Sequence, residues 1–464
     1  MTDRKARRHN SVLPQLAVIS RIEAQCSYQT FVQVDCEALQ NRQMRQHDNR
    51  YASCLAVSEL QPDCKKFTSH NNHMTKHLIV CLFVFSHSFM CSAQAVNAIR
   101  AQSSIKYAKP EEFDDGIRTA TLYNVEINEN AIRALEDSII TGVYTNIHSV
   151  LILRHNKLVY ERYFPGSDVI RGKGFIGFVE HHMDSLHDIR SVNKSVVGAA
   201  VMIAIGQGKI KDTHQRVFDF FPEYAKYDTG MKRDITIQHL LNMSAGFEWD
   251  EDIPYSDTLN SERRMNYSPD AIDFVLSRKM VNIPGTTFKY NGGCTQLLAT
   301  IIERTTGMQV DAFTYEYLFK PIRITQYTWV AIKDGKPSAA SGLRLRSRDL
   351  AKFGLLFLNG GMWNSEQIIP SQLVAQTLRS QISTPYSDST YHTGYSNQFW
   401  LPTEIIEGKE VSWIQCQGNG GQIVVIDKQN DLVLVITAGN FDRSDLRKSS
   451  WDIYFDFVYP ALVN

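Results

Sequence analysis

Beyond its first hundred residues the chain is poor in cysteine, with only Cys294 and Cys416, whereas Cys26, Cys36, Cys54, Cys64, Cys81 and Cys91 crowd the beginning. A disulfide-stapled scaffold is therefore excluded for the bulk of the chain, which must be held by a core. An excess of either charge is also missing: 49 Lys and Arg balance 49 Asp and Glu, for a formal net charge of 0. That balance argues against nucleic acid or an anionic membrane surface as the main partner and favours a small-molecule or peptide substrate. The H-E-x-x-H zinc motif is absent. Ser244 lacks the first glycine of a G-x-S-x-G elbow and a preceding apolar strand, so it reads as a turn residue. What is present is 464 residues, 43% hydrophobic, enough for one large catalytic domain or two moderate ones.

The longest apolar stretch lies in MTKHLIVCLFVFSHSFMCSAQA, residues 74–95: a basic start at Lys76 and His77, an apolar run from Leu78 to Met90, then Ala93-Gln94-Ala95. This is the grammar of a secretory signal with an A-x-A cleavage site, and its core falls short of the ~20 residues of a spanning helix. The mature chain is expected to start near Val96, to be exported to the periplasm or beyond, and to hold no membrane span. Residues 1–73 are polar, mixed in charge and without sustained periodicity. They read as a misassigned upstream extension with no fold, in preference to a four-cysteine accessory module. Phe89 and Met90 are too large for a lipid-attachment site at Cys91.

In the mature chain, 129–141 carries apolar residues at helical spacing, and VLILRHNKLVYERYF from Val150 to Phe164 reads as a hairpin. A loop follows with His181, His182, Asp184, His187 and Asp188. Imidazole and carboxylate are zinc ligands, but adjacent His181 and His182 point in different directions in most backbones, so the loop reads as polar surface with no metal and no cofactor. Asp188 to Ile210 then sets Ser191 and Lys194 three residues apart at the start of an apolar helix. That spacing puts both side chains on one face. A serine hydroxyl needs a group to take its proton, and a partly desolvated lysine with a lowered pKa can do so.

Two later segments supply partners. Residues 269–307 read as helix, Pro-Gly turn, extended Phe288-Lys289-Tyr290, glycine turn and helix, so Tyr290 sits on a sharp loop before a helix. A phenolate beside an ammonium can act as general base and later as acid. Residues 338–361 form a loop through Ser341-Gly342, then a helix ending at a glycine pair. The run WIQCQGNGGQIVVIDKQNDLVLVITAGN reads as strand, Gly418-Asn419-Gly420-Gly421 kink, strand, turn, strand. Glycines within a strand pattern let another group approach the backbone, and the N–H groups of Gly421 or Gln422 with that of Ser191 are candidates for an oxyanion hole. SSWDIYFDFVYPAL reads as a closing helix on the sheet.

Together these residues resemble the serine β-lactamase and penicillin-binding-protein superfamily, in particular the branch with class C β-lactamases, DD-peptidases, family VIII esterases and 6-aminohexanoate-dimer hydrolase. Ser191-Val192-Asn193-Lys194 matches S-x-x-K, Tyr290-Asn291-Gly292 sits where Y-x-N is expected, and Asn419-Gly420-Gly421 where K-T-G or H-x-G is expected. The resemblance spans roughly Ser149 to Leu462 and implies an α+β fold: an antiparallel sheet flanked by helices, built from about 96–190 and 335–464, with a mainly helical region inserted at about 191–334. It implies acyl transfer, with Ser191 as nucleophile and Lys194 and Tyr290 sharing the base role. Substrate and oxyanion binding fall to Asn193, Asn291, Asn419, Gly420, Gly421 and Gln422, and Asn419 positions the substrate or bonds Tyr290.

The departures tilt the substrate. Family members that bind β-lactams usually hold the antibiotic's carboxylate with a lysine in the third motif and touch its amide side chain with the last residue of the second. Here those positions are Asn419 and Gly292, and the missing charge-assisted contact is worth about 1.5–3 kcal/mol. An ester or amide hydrolase is therefore expected; the alternatives are β-lactamase or DD-peptidase activity, and a non-catalytic recognition module. Cys294 and Cys416 flank converging motifs, which leaves a disulfide between them open in an exported protein. N-terminal sequencing of the exported protein is expected to begin near Val96; a mature chain retaining residues 1–73 contradicts that reading.

Overall fold

Three apolar runs, Ile147–Arg154, Gln422–Asp427 and Leu432–Ala438, form the centre of a ten-stranded sheet in the computed structural model, which describes residues 107–387, 391–406, 408–443 and 445–462. The expectations for residues 1–73 and for the signal segment 74–95 lie outside the described residues. Strands follow the order Arg118–Thr119, Lys157–Tyr163, Ile147–Arg154, Leu432–Ala438, Gln422–Asp427, Ile414–Gly418, Phe399–Ile406, Tyr391–Ser396, Ile382–Ser383, with Lys409–Ser412 added to Phe399–Ile406. All pairings are antiparallel except that of Arg118–Thr119 with Lys157–Tyr163. Strands far apart in the sequence thus meet at the sheet centre, where Leu432–Ala438 pairs with Ile147–Arg154.

Four helices frame the sheet: α1 (Glu129–Ile140), α2 (Val192–Gly206), α3 (Gly292–Thr306) and α4 (Ser347–Leu358). Successive strand side chains project to opposite faces, and here both faces are covered. Leu151, Leu153, Val424, Ile426, Val433 and Val435 enter a core shared with α2, α3 and α4. Val150, Ile152, Ile423, Val425, Leu434 and Ile436 enter a second core beneath α1 and the closing helical turn Tyr454–Val458. Burial on both faces explains why these strands read as unbroken apolar runs rather than alternating ones.

α1 buries Ile132, Leu135 and Ile139 along one stripe and is capped by Asn128, whose side chain accepts from the Asn130 N–H. α2 differs, because every residue from Val192 to Ala204 is buried. A helix enclosed on all sides must be apolar all round, as the Val/Ala/Ile run after Lys194 is. α3 packs against it, begins at the Asn291 cap and stops at Gly307 in the left-handed region. A short antiparallel pairing of His187–Asp188 with Leu343–Leu345 brings the chain to the start of α2. No helix among the described residues is long and apolar enough to cross a membrane.

Candidate active site

The turn into α2 is sharp: Arg190 adopts a left-handed φ of 50°, and Ser191 stands at the N-cap position with a helical φ of −67°. Its hydroxyl caps nothing. Instead it accepts a hydrogen bond from Lys194 Nζ at 3.0 Å, so the pair expected from the sequence is formed. Tyr290 lines the same cleft as Ser191. Its ring is stacked on Trp400 with centroids 5.6 Å apart, and Lys194 Nζ sits 4.7 Å from its centroid. The backbone of the third motif approaches from the other side. A Cβ on Gly418 would lie 2.3 Å from the Ile189 carbonyl oxygen, so only glycine lets this strand pass the turn before Ser191.

Two residues that sequence reasoning missed complete the cluster. Lys194 Nζ is 3.3 Å from Glu262 Oε2, 3.5 Å from Glu251 Oε1 and 3.2 Å from the Ala340 carbonyl that accepts from it. Both glutamates are fully buried and hydrogen-bonded to each other. Glu251 also accepts from Trp249 Nε1 at 2.6 Å, from the Tyr255 hydroxyl at 3.0 Å and from the Gly292 N–H. Glu262 accepts from the Ser341 hydroxyl and faces Arg171 at 3.6 Å. No spacing rule links positions 251 and 262 to 194. Their signal emerges only once α2 and α3 are packed.

The electrostatics follow from that enclosure. Burial alone would give Lys194 the lowered pKa expected from the sequence, but Tyr290, Glu262 and Glu251 outweigh it and raise the lysine above its ordinary value. Burial pushes the Glu251 carboxyl up to about 7, against the pull of Lys194. It would raise Glu262 too, yet Lys194 and Arg171 hold that carboxyl well below the usual range. Burial also raises Tyr290, again against Lys194. Two carboxyls in contact do not ionise independently, so the pair gives up its first proton far more readily than its second.

Gly292 makes room for this. A Cβ there would lie 2.9 Å from Glu262 Oε2, 3.0 Å from the Ala340 Cβ and 3.2 Å from Glu251 Oε2. The side of Gly292 that a Cβ would occupy is where the two carboxylates meet.

The remaining expected residues scatter in role. Asn291 is buried and caps α3, accepting from the Cys294 N–H at 3.2 Å. Asn193 is neither in the cleft nor solvated: it is buried, and its Nδ2 donates to the Ser338 carbonyl at 3.0 Å. Asn419 lines the cleft, but its side chain is engaged reciprocally with Asp442, donating from Nδ2 and accepting at 2.8 Å from the Asp442 N–H, rather than bonding Tyr290. Gly420 and Gly421 both take φ of 94°, and the Gly421 N–H donates to Gly418 at 3.2 Å, which removes it as an oxyanion donor. The Gln422 side chain is tied to the Ala438 backbone. The Ser191 N–H finds no acceptor among the described residues.

Cys294 and Cys416 are free, buried thiols, so the disulfide left open by the sequence is not formed. The enclosed Tyr395 lies within electrostatic range of both, and burial pushes the Cys416 thiol up to about 12. Of the histidine loop, His187 is buried and its Nε2 is 2.8 Å from His148 Nδ1. The ligand atoms of His148, Asp168 and His181 lie within 4.8 Å of one another. The His148 and His181 rings, however, stack at 3.9 Å with planes 18° apart. Parallel stacked rings cannot both aim in-plane lone pairs at one ion, which argues against ligation in this arrangement.

A two-faced sheet with a buried serine–lysine pair at a helix start defines a hydrolase architecture of the serine β-lactamase type. A profile of the family described as Beta-lactamase matches residues 130–455, and the chain belongs to that family. It is 26% identical over 287 residues to the 6-aminohexanoate-dimer hydrolase of Paenarthrobacter ureafaciens, a match covering 58% of this chain and 69% of that protein. Among solved structures, a family VIII carboxylesterase superposes with a TM-score of 0.55 at 17% identity, covering 72% of this chain and 96% of the other. A penicillin-binding-protein homologue from Caulobacter crescentus gives 0.54 at 14% identity, covering 72% and 97%. These two likenesses are of fold.

If the space beside Gly292 is what seats the two carboxylates, Gly292→Ala lowers the rate of fluorophosphonate labelling by roughly tenfold while the far-UV circular dichroism is kept. An unchanged rate would show that the cluster absorbs the methyl group without consequence.

Proposed function

We propose that the protein is an exported serine hydrolase that cleaves an ester or amide through an acyl-enzyme on Ser191. The observation that carries this reading is the 3.0 Å bond from Lys194 Nζ to a serine hydroxyl that is not used for capping, beside Tyr290 and at the mouth of a cleft. Kinship with a 6-aminohexanoate-dimer hydrolase and a carboxylesterase fold supports the ester and amide class. A binding module would need neither a lysine nor a tyrosine around its serine.

In this reading Ser191 Oγ attacks the substrate carbonyl carbon as its proton passes to Lys194 Nζ, which hands one of its own to unprotonated Glu251, 3.5 Å away, and so remains an ammonium. The developing oxyanion is met by the Ser191 N–H at the helix start. The bond to the leaving oxygen or nitrogen breaks, and the proton stored on Glu251 returns to it by way of Lys194. Water then attacks the acyl carbon, the bond to Oγ breaks, and Ser191 regains its proton. Before and after each transfer Lys194 is an ammonium between its carboxylates, and it pulls the pKa of the Tyr290 hydroxyl down against the larger, opposing effect of burial. Glu251, the group of this set poised near neutrality, takes up or releases the cluster's extra proton.

Ser191→Ala is expected to abolish fluorophosphonate labelling and hydrolysis of a short-chain aryl ester; equal labelling of this variant overturns the assignment. Because Glu251 must be unprotonated to take up a proton, kcat/KM should rise with pH through about 7 in the wild type. Glu251→Gln should lose that limb, and a limb that persists in the variant excludes Glu251 as its source.

A further inference from the structure

Ser191 lies at the junction of two cavities, of about 500 and 340 Å3. The larger is lined, besides Ser191, by Arg171, Arg190, Arg263 and Lys333, and no aspartate or glutamate lines it. In a chain whose charges balance 49 to 49, four cations and no acid around one cleft is a pronounced local asymmetry. Two of the four are already matched: Arg171 faces Glu262 at 3.6 Å and Arg190 faces Asp188 at 3.3 Å. Arg263 and Lys333 have no ion-pair partner among the described residues. Arg263 reaches only the Tyr255 carbonyl at 3.5 Å and the face of the Tyr267 ring at 5.4 Å. Like charges gathered on a concave wall repel one another and focus a positive potential into the cavity, which a bound anion relieves.

We infer that this cavity is a carboxylate-binding lobe, and that the compound cleaved at Ser191 carries a carboxylate held by Arg263 and Lys333. The inference rests on the assignment of Ser191 as nucleophile and names the substrate class for it. Val330, Ala331 and Ile332 also line the lobe. A wall that mixes apolar surface with guanidinium and ammonium groups suits a short carbon chain ending in a carboxylate better than a compact, strongly hydrated phosphate. The third-motif strand offers no cation, since Asn419 stands there with its amide taken by Asp442. The positive charge comes instead from the short helix Ser261–Asn266 and the segment around Lys333, across the cleft from that strand.

The test compares kcat/KM for two aryl esters of matched chain length, 4-nitrophenyl pentanoate and 4-nitrophenyl hydrogen glutarate. The full chain should prefer the anionic ester by at least about tenfold, and the preference should shrink as sodium chloride is added. Arg263→Gln and Lys333→Gln should each cut the anionic-to-neutral ratio several-fold, whereas Arg264→Gln, on the same short helix but outside the lining, keeps the wild-type ratio. Equal or better turnover of the neutral ester, or a ratio in Arg263→Gln and Lys333→Gln that matches Arg264→Gln, overturns the lobe. If a fluorophosphonate still labels Ser191 in that case, the nucleophile assignment survives. If nothing is labelled and neither ester is cleaved, both fall.

Discussion

The buried contact between one ammonium and two carboxylates is the constraint on which the rest of the site depends. A lone charge at the position of Lys194, which is about 1% exposed, would be strongly disfavoured, and a single glutamate beside it would leave little freedom to move a proton. Two glutamates hold the lysine charged while leaving one proton to be shared between them. The packing of α2 against α3, the glycine at 292 and the Trp249 and Tyr255 hydrogen bonds all serve that arrangement. Removing any of them exposes or strands a charge rather than merely loosening a contact.

Around this centre the fold does two separable jobs. The sheet and its two cores fix the start of α2 with respect to the strand Ile414–Gly418, through the close approach of Gly418 to Ile189. Segments outside the sheet line the cleft beside Ser191. Arg171 comes from the segment joining the strands Gly166–Ile170 and Gly174–Val179, Arg263 from a short helix, and Lys333 from the segment after Thr328–Trp329. The Ser191–Lys194 contact is thus held by buried elements, whereas the cations that line the cleft come from more exposed segments.

Much of this was legible in the sequence, and the reasons for the gaps are physical. Ser191 and Lys194 are one helical turn apart, so local geometry alone brings them together. The central strands and α1 announce themselves through apolar runs and periodicity. Tyr290 needed its position before a helix, and the order of motifs, to stand out among 20 tyrosines. Glu251 and Glu262 left no trace, because nothing local distinguishes a glutamate that will be buried against a lysine from one that will face water. Asn193, Asn291 and Asn419 misled for the converse reason: an asparagine beside a motif is as often spent on the backbone or a neighbour as on a substrate. The sign of the Lys194 shift could not be read without its partners, since desolvation and opposite charge act in contrary directions.

The reciprocal pair of Asn419 and Asp442 bears on how such a protein could acquire another specificity. A lysine at position 419 would arrive beside an existing aspartate and be neutralised by it before any substrate approached. The path from this cleft to one that grips anions from the third-motif strand therefore passes through position 442 as well. The intermediate single variant would gain an internal ion pair and no new ligand, a step with nothing for selection on activity to favour.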